Sequence, residues 1–163
     1  MHSSGSWRKV PLWCGLMVSL FLAAPMCQAQ ELRPGPNIAS YLTVPINPAI
    51  AVVQAFRSEH PGCYLKQLGA SEFLGNVSTL LVKALVHGER PCAGCKPDGF
   101  WSGHSMNAFI GWRRAGGRWG LAIGSATPVL RVEALAHTKT QVAVGSLAGL
   151  GADEVGRWLI PCP

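Results

Sequence analysis

Cys92 and Cys95, in Cys92-Ala93-Gly94-Cys95, have the spacing of a thiol–disulfide oxidoreductase pair. In such a pair the first thiol's pKa can fall and its sulfur become the attacking group. A redox pair of this kind opens a helix after a strand, whereas here Pro97 and Asp98-Gly99 follow almost at once and disfavour a helix. The preferred reading is therefore structural. Cys63, Cys92, Cys95 and Cys162 form two disulfides, with Cys92 and Cys95 each reaching Cys63 or Cys162 in some order. A direct Cys63–Cys162 bridge would close about 100 residues and stabilise the fold by nearly 5 kcal/mol on chain entropy. Zinc is a further use for the same thiols, with His87 and His104 nearby in sequence. A second ligand pair is missing, so no metal and no other cofactor is expected.

The histidines open another route. His60, His87, His104 and His137 follow the first thirty residues. His104 lies in the polar run Ser102-Gly103-His104-Ser105 beside Trp101, and His87 precedes Glu89. A hydrolase or nuclease using His104 or His87, with Glu89 or Asp98 as the acid–base partner, is the enzymatic alternative, beside a thiol–disulfide oxidoreductase using Cys92 and Cys95. No nucleophile elbow, Gly-rich phosphate loop or H-E-x-x-H pattern occurs. No catalytic residue is therefore assigned at this level.

Trp and Arg dominate interface hot spots, and six Trp is a high count for this length. Between Trp112 and Trp119 stand Arg113, Arg114 and Arg118, whose guanidinium forks suit carboxylate or phosphate groups on a partner. With Gly116-Gly117 as a two-residue turn, Ile110, Trp112, Trp119, Leu121 and Ile123 sort to one face of a β-hairpin, with Arg114 facing Trp119, while Gly111, Arg113, Ala115, Arg118, Gly120 and Ala122 take the other. The first functional expectation follows: a non-enzymatic module binding a protein or an anionic envelope component through Trp101, Arg113, Arg114 and Arg118.

Several elements must hold these groups. Residues 1–29 read as a signal peptide: Arg8 and Lys9, an apolar run from Leu12 to Ala24, then Cys27-Gln28-Ala29 before cleavage. The apolar run is about 13 residues, below the roughly 18 needed to span a bilayer, so no membrane anchor is expected after cleavage. A lipoprotein site at Cys27 fits poorly after Ala24-Pro25-Met26. The product would be periplasmic or secreted, where four cysteines oxidise to two disulfides. Loss of Arg8 and Lys9 takes the formal charge from +6 to +4, a weak preference for anionic partners with no specific nucleic acid implied. Only 13% of residues are charged, and the chain carries 19 Gly and 12 Pro, a composition that points to loops and strands rather than a bundle.

Residues 30–47, with Pro34, Pro36 and Pro45, are expected to be an extended lead-in, and 48–163 a single α+β domain. Asn47-Pro48 caps a helix to about His60, with Ala49, Val52, Val53 and Phe56 on one face, and Pro61-Gly62 ends it. Residues 63–69 form a short strand. Phe73, Leu74, Val77, Leu80, Leu81, Ala84 and Leu85 favour a second helix from Ser71 to Gly88. After the hairpin, Leu130–Ala134 and Gln141–Ser146 alternate like strands, Gly149–Gly151 is a loop, and Asp153–Ile160 a last strand or short helical turn. The expected fold is α+β: an N-terminal helix, with this second one, packed on a disulfide-stapled antiparallel β-meander.

Overall fold

The structure, a computed structural model, describes residues 31–163 except Lys96, Asp98 and Gly99. The signal-peptide expectation and the role considered for Asp98 fall outside those residues. Helices α1 (Pro34–Thr43), α2 (Ile46–Phe56), α3 (Pro61–Leu85), α4 (Gly103–Phe109), α5 (Arg118–Glu133) and α6 (Lys139–Leu159) follow in order. Among the described residues there is no β-strand, and only Gly88 and Cys92 form isolated bridges. The α+β expectation with its β-meander is thus overturned.

The prolines misled first. Pro34 sits in the first turn of α1 and Pro61 in that of α3, where the missing N–H would have had no helical partner anyway. The extended lead-in is largely helix, and the Pro61-Gly62 stop is a start. The strand expected at 63–69 and the helix expected from Ser71 are one helix. The helix expected over 48–60 is α2, displaced toward the N-terminus. Asn47 is not its cap but lies buried inside it, where its amide donates to the Ala108 and Gly120 carbonyls at 2.8 and 2.7 Å.

The hairpin fails for a different reason. Gly116 and Gly117 do take positive φ, +97° and +59°, as the turn required. Around them the chain coils instead of reversing. Ala115 N–H donates to Gly111 O at 3.0 Å, Gly117 N–H to Arg113 O at 3.1 Å, and Leu121 N–H to Gly117 O at 2.9 Å. The next residue, Arg118, begins α5. A Cβ on Gly120 would collide with the Trp112 carbonyl, and one on Gly124 would stand 2.9 Å from the Ala108 carbonyl. α5 therefore packs through glycine backbone on α4 and on the turn that follows it, and Gly120 belongs to the hairpin face opposite the apolar one. Trp119, expected in the core opposite Trp112, is 75% exposed.

The same device seats α6. Gly145 and Gly149 abut the carbonyls of Ser102 and Met106, and Gly156 abuts Ser71 of α3. The segment expected as a strand at 141–146, a loop at 149–151 and a final strand is this one helix. Its buried line, Val142, Gly145, Gly149, Ala152 and Gly156, has helical rather than twofold spacing. The Leu130–Ala134 strand is likewise the end of α5.

α4 is the hub, with Met106 and Ile110 wholly buried against Ala51 and Leu68. α3, α5 and α6 pack around it, and α1 lies along α5. α3 turns Gln67, Leu68, Ser71, Gly75 and Thr79 inward, so Phe73, Leu80, Leu81 and Leu85 of its apolar stripe face outward. By length and composition 34–56 could also cross a membrane, with mean hydropathy 1.3 and 22% of the window buried. Cys63 bridges Cys162 and Cys92 bridges Cys95. Two disulfides were expected, but the preferred pairing, both C-x-x-C cysteines to distant partners, is replaced by one long-range and one local bridge.

Candidate active site

Arg131 sits in the last turn of α5, on the face that close helix packing covers, and is only 3% exposed. Its Nη1 donates to Asn37 Oδ1 at 2.6 Å and Ser40 Oγ at 3.3 Å on α1. Its guanidinium carbon lies 5.7 Å from the centre of the Tyr41 ring, and its Nε is buried without a hydrogen-bond partner. α5 then closes on itself. Leu135 adopts positive φ, 60°, and the N–H groups of Ala136 and His137 both donate to the Arg131 carbonyl, at 3.1 and 3.3 Å. This left-handed C-terminal turn brings His137 back beside Arg131.

α6 begins immediately afterwards with a capping box. Thr138 Oγ1 accepts the Gln141 N–H, and Gln141 Oε1 accepts the Thr138 N–H at 3.0 Å. Gln141 does more than cap. Its Nε2 donates to the Glu89 carbonyl at 2.7 Å, its Oε1 lies 3.2 Å from His137 Nδ1, and its carbonyl accepts the Ser102 N–H at 3.0 Å. One glutamine thereby ties together the loop after α3, the entry to α4 and the turn carrying His137.

That network sets the tautomer of His137. Gln141 Nε2 is committed as a donor to Glu89, so the oxygen facing His137 can only accept, and Nδ1 must carry the proton. Nε2 keeps its lone pair. The imidazole is 2% exposed. Burial first, then Arg90 and Arg131, push its pKa down to about 3, against the opposing hydrogen bond to Gln141.

His104 is the second member, on the first turn of α4. Ser102 caps that helix by accepting the Ser105 N–H at 3.2 Å. Tyr41 meets the His104 ring edge-on with centroids 4.4 Å apart. Burial, followed by Arg131, Lys83 and Arg90, lowers His104 to about 4. The charges that act on both histidines are cationic, so each ring is neutral when the site is empty. Beside His104 opens a cavity of about 290 Å³ walled by Tyr41, Val44, Lys83, Gly103 and Asn107. Lys83 comes from the last turn of α3. Arg90 comes from the following loop, which is closed by the Cys92–Cys95 bridge and a 3.1 Å hydrogen bond from Gly88 N–H to Pro97 O.

Of the residues expected to form a binding face, Arg113 and Arg114 share one cavity wall, whereas Trp101 and Arg118 lie elsewhere. Trp101 donates from Nε1 to Thr79 Oγ1 at 3.0 Å and serves to hold the chain before α4 onto α3. Arg113 pairs with Glu154 and lies over Trp112. Arg114 stacks on Tyr64 with 3.5 Å to the ring centre. Arg118 is exposed at the start of α5, and His87 is exposed in the loop after α3. No group of three metal-ligating His, Cys, Asp or Glu occurs among the described residues. Cys92 and Cys95 are bridged to each other, the local pairing an oxidoreductase would show, and Cys92 is buried.

Sequence reasoning offered His104 and His87 as alternatives, and His87 is exposed in the loop after α3. The same reasoning passed over Lys83, Arg90, Arg131 and Gln141, and left His137 unranked. The usable signal was Thr138-Lys139-Thr140-Gln141, a capping-box pattern directly after a histidine. No family model matches the chain, no curated protein is similar to it, and no solved structure matches its fold.

Proposed function

We propose that this protein is an exported hydrolase of phosphate esters, with His137 as nucleophile and His104 as the acid–base group. The observation that carries this reading is the gathering of Lys83, Arg90 and Arg131 around two neutral histidines, one of them buried with its lone pair positioned by Gln141. Three cations match a group that spreads charge over several oxygens, as a phosphate monoester dianion does, better than they match one carboxylate. The two disulfides support an oxidising compartment.

Burial first, and then the three cations, keep His104 unprotonated; a bound dianion cancels the cationic repulsion and attracts the imidazolium, so His104 takes up a proton as substrate binds. His137 Nε2 then attacks phosphorus. The N–P bond forms as the ester P–O bond breaks, and the leaving oxygen receives the His104 proton, giving the free alcohol. Nδ1–H stays on Gln141 throughout. Water next attacks phosphorus and gives its proton to His104, the N–P bond breaks, and phosphate leaves with the His137 lone pair restored. Arg90, Arg131 and Lys83 hold the phosphoryl oxygens in both steps.

The test is release of inorganic phosphate from p-nitrophenyl phosphate and from sugar and glycerol phosphates, with acid-quenched and base-quenched samples examined for phosphohistidine by ³¹P NMR. The expected result is turnover by the oxidised protein, a base-stable and acid-labile phosphoryl adduct, and loss of both in His137→Ala. Absence of turnover on every ester, together with no binding of inorganic phosphate, would overturn it.

A further inference from the structure

A second cavity, of about 270 Å³, lies away from the histidines and is bordered by Gln67, Ser71, Arg113, Arg114, Asp153 and Arg157. Asp153 is only 4% exposed. Its Oδ1 accepts the Gly111 N–H at 2.9 Å, while its Oδ2 is buried with no hydrogen-bond partner. A buried carboxyl oxygen left without a partner is costly, and this one belongs to a residue of the cavity wall.

The basic groups around it are held in place. The Arg114 guanidinium is stacked on Tyr64 and donates from Nη2 to Gln67 Oε1 at 3.3 Å. Gln67 is fixed in turn by donating to the Ile160 carbonyl at 2.8 Å. Arg113 uses Nε on Glu154, which leaves its terminal nitrogens for another acceptor. Arg157 follows Asp153 by one helical turn on α6. The wall sets Arg113, Arg114 and Arg157 against Asp153, with Glu154 and Glu72 close by, so the cationic excess is small and a monoanion suits it better than a phosphate dianion.

We propose that this cavity binds a small carboxylate carrying a hydroxyl or ammonium group next to its carboxyl carbon. The carboxylate meets the Arg113 and Arg114 forks, and the neighbouring donor satisfies Asp153 Oδ2. Such a ligand is small enough for the space and supplies both kinds of contact that the walls lack. The site is separate from the phosphate-ester chemistry and stands or falls without it.

The test is a matched series of one carbon skeleton, propionate, L-lactate and L-alanine, titrated calorimetrically into the full oxidised chain held in saturating inorganic phosphate, which fills any phosphate site. Lactate or alanine is expected to bind at least tenfold more tightly than propionate. Asp153→Asn should change that ratio at least fivefold, and Arg114→Gln should weaken the carboxylates together at least tenfold. Tyr64→Leu, which removes the stacking platform but no charge, gives a second variant if Asp153→Asn does not fold, and it should weaken them at least threefold. Equal binding of all three, binding unaffected by these variants, or no binding at 10 mM would each overturn the proposal.

Discussion

Two basic regions of the molecule make a useful contrast. Arg113, Arg114 and Arg118 are adjacent in sequence and near the surface, and two of them are occupied by Glu154, Tyr64 and Gln67. Lys83, Arg90 and Arg131 are scattered over nearly fifty positions, yet all three act electrostatically on His104 and His137. The first cluster is dense along the chain and lies near the surface, with Arg113 and Arg114 on one cavity wall; the second is sparse along the chain and is gathered by the fold. Charge is inexpensive at a surface and costly when buried, and of these six cations Arg131 is the buried one, so its placement is the one that calls for a functional cause.

The sharpest way to break the contrast is to remove one arginine from each region. Arg131→Met should lower phosphate-ester turnover by about 10²–10³-fold, the usual effect of losing one donor to developing charge. Arg118→Met should stay within about twofold. The kcat/KM ratios of the two variants measure the difference directly, and similar losses would erase it.

The two disulfides allow a second comparison. Cys63–Cys162 encloses most of the helical body, and its removal by Cys63→Ser with Cys162→Ser should cost about 4–5 kcal/mol in urea unfolding. Activity well below the midpoint should persist. Cys92–Cys95 closes only a few residues and should cost about 2 kcal/mol by the same chain-entropy relation. It frames the loop of Arg90 and of the Glu89 carbonyl that Gln141 holds, so the Cys92→Ser, Cys95→Ser pair should lose proportionally more activity than stability. A reversed ranking would show that the loop is positioned by its other bonds.

The gentlest probe is pH. The folded pKa values of His137 and His104 are depressed to about 3 and about 4 from an unfolded value near 6.5. Between these values the unfolded chain binds more protons than the folded one, so stability rises with pH through that window. The melting temperature should therefore be highest, for these two groups, above about pH 6.5, and fall as the pH drops toward 4 and 3. Glu72 and buried Asp153, whose pKa values are raised chiefly by desolvation, act in the opposite sense and are relieved as pH falls. Inorganic phosphate should flatten the acid loss, because a bound anion stabilises both imidazoliums. A melting curve whose acid limb ignores phosphate would detach the histidines from an anion site.

Some of this was legible from residue order. The helix expected over 48–60 exists as α2, and the tendency of Phe73 to Leu85 toward helix was real, because steps of three and four reflect backbone geometry whichever face is buried. Which face is buried was not legible. Gly75, a costly residue in a helix interior, is where Met106 and Ile110 come close. The alternation around Gly116-Gly117 satisfied every rule for a hairpin, but the rules see side chains, and the packing is through glycine backbones. Arg131 was placed outward for the same reason: a strand alternates every second residue, and a helix returns it to the core.

Local chemistry along the chain was thus sufficient for the cysteine count, for His104 as a candidate and for the tendency of individual segments to coil. The tertiary structure alone decided the pairing of the cysteines, the inward face of each helix and the convergence of Lys83, Arg90 and Arg131 on both His104 and His137. The physical reason is the scale of the forces. Helical tendency and capping act over four residues, whereas burying a charge beside a histidine depends on glycine-lined helices meeting at a distance that no single segment encodes.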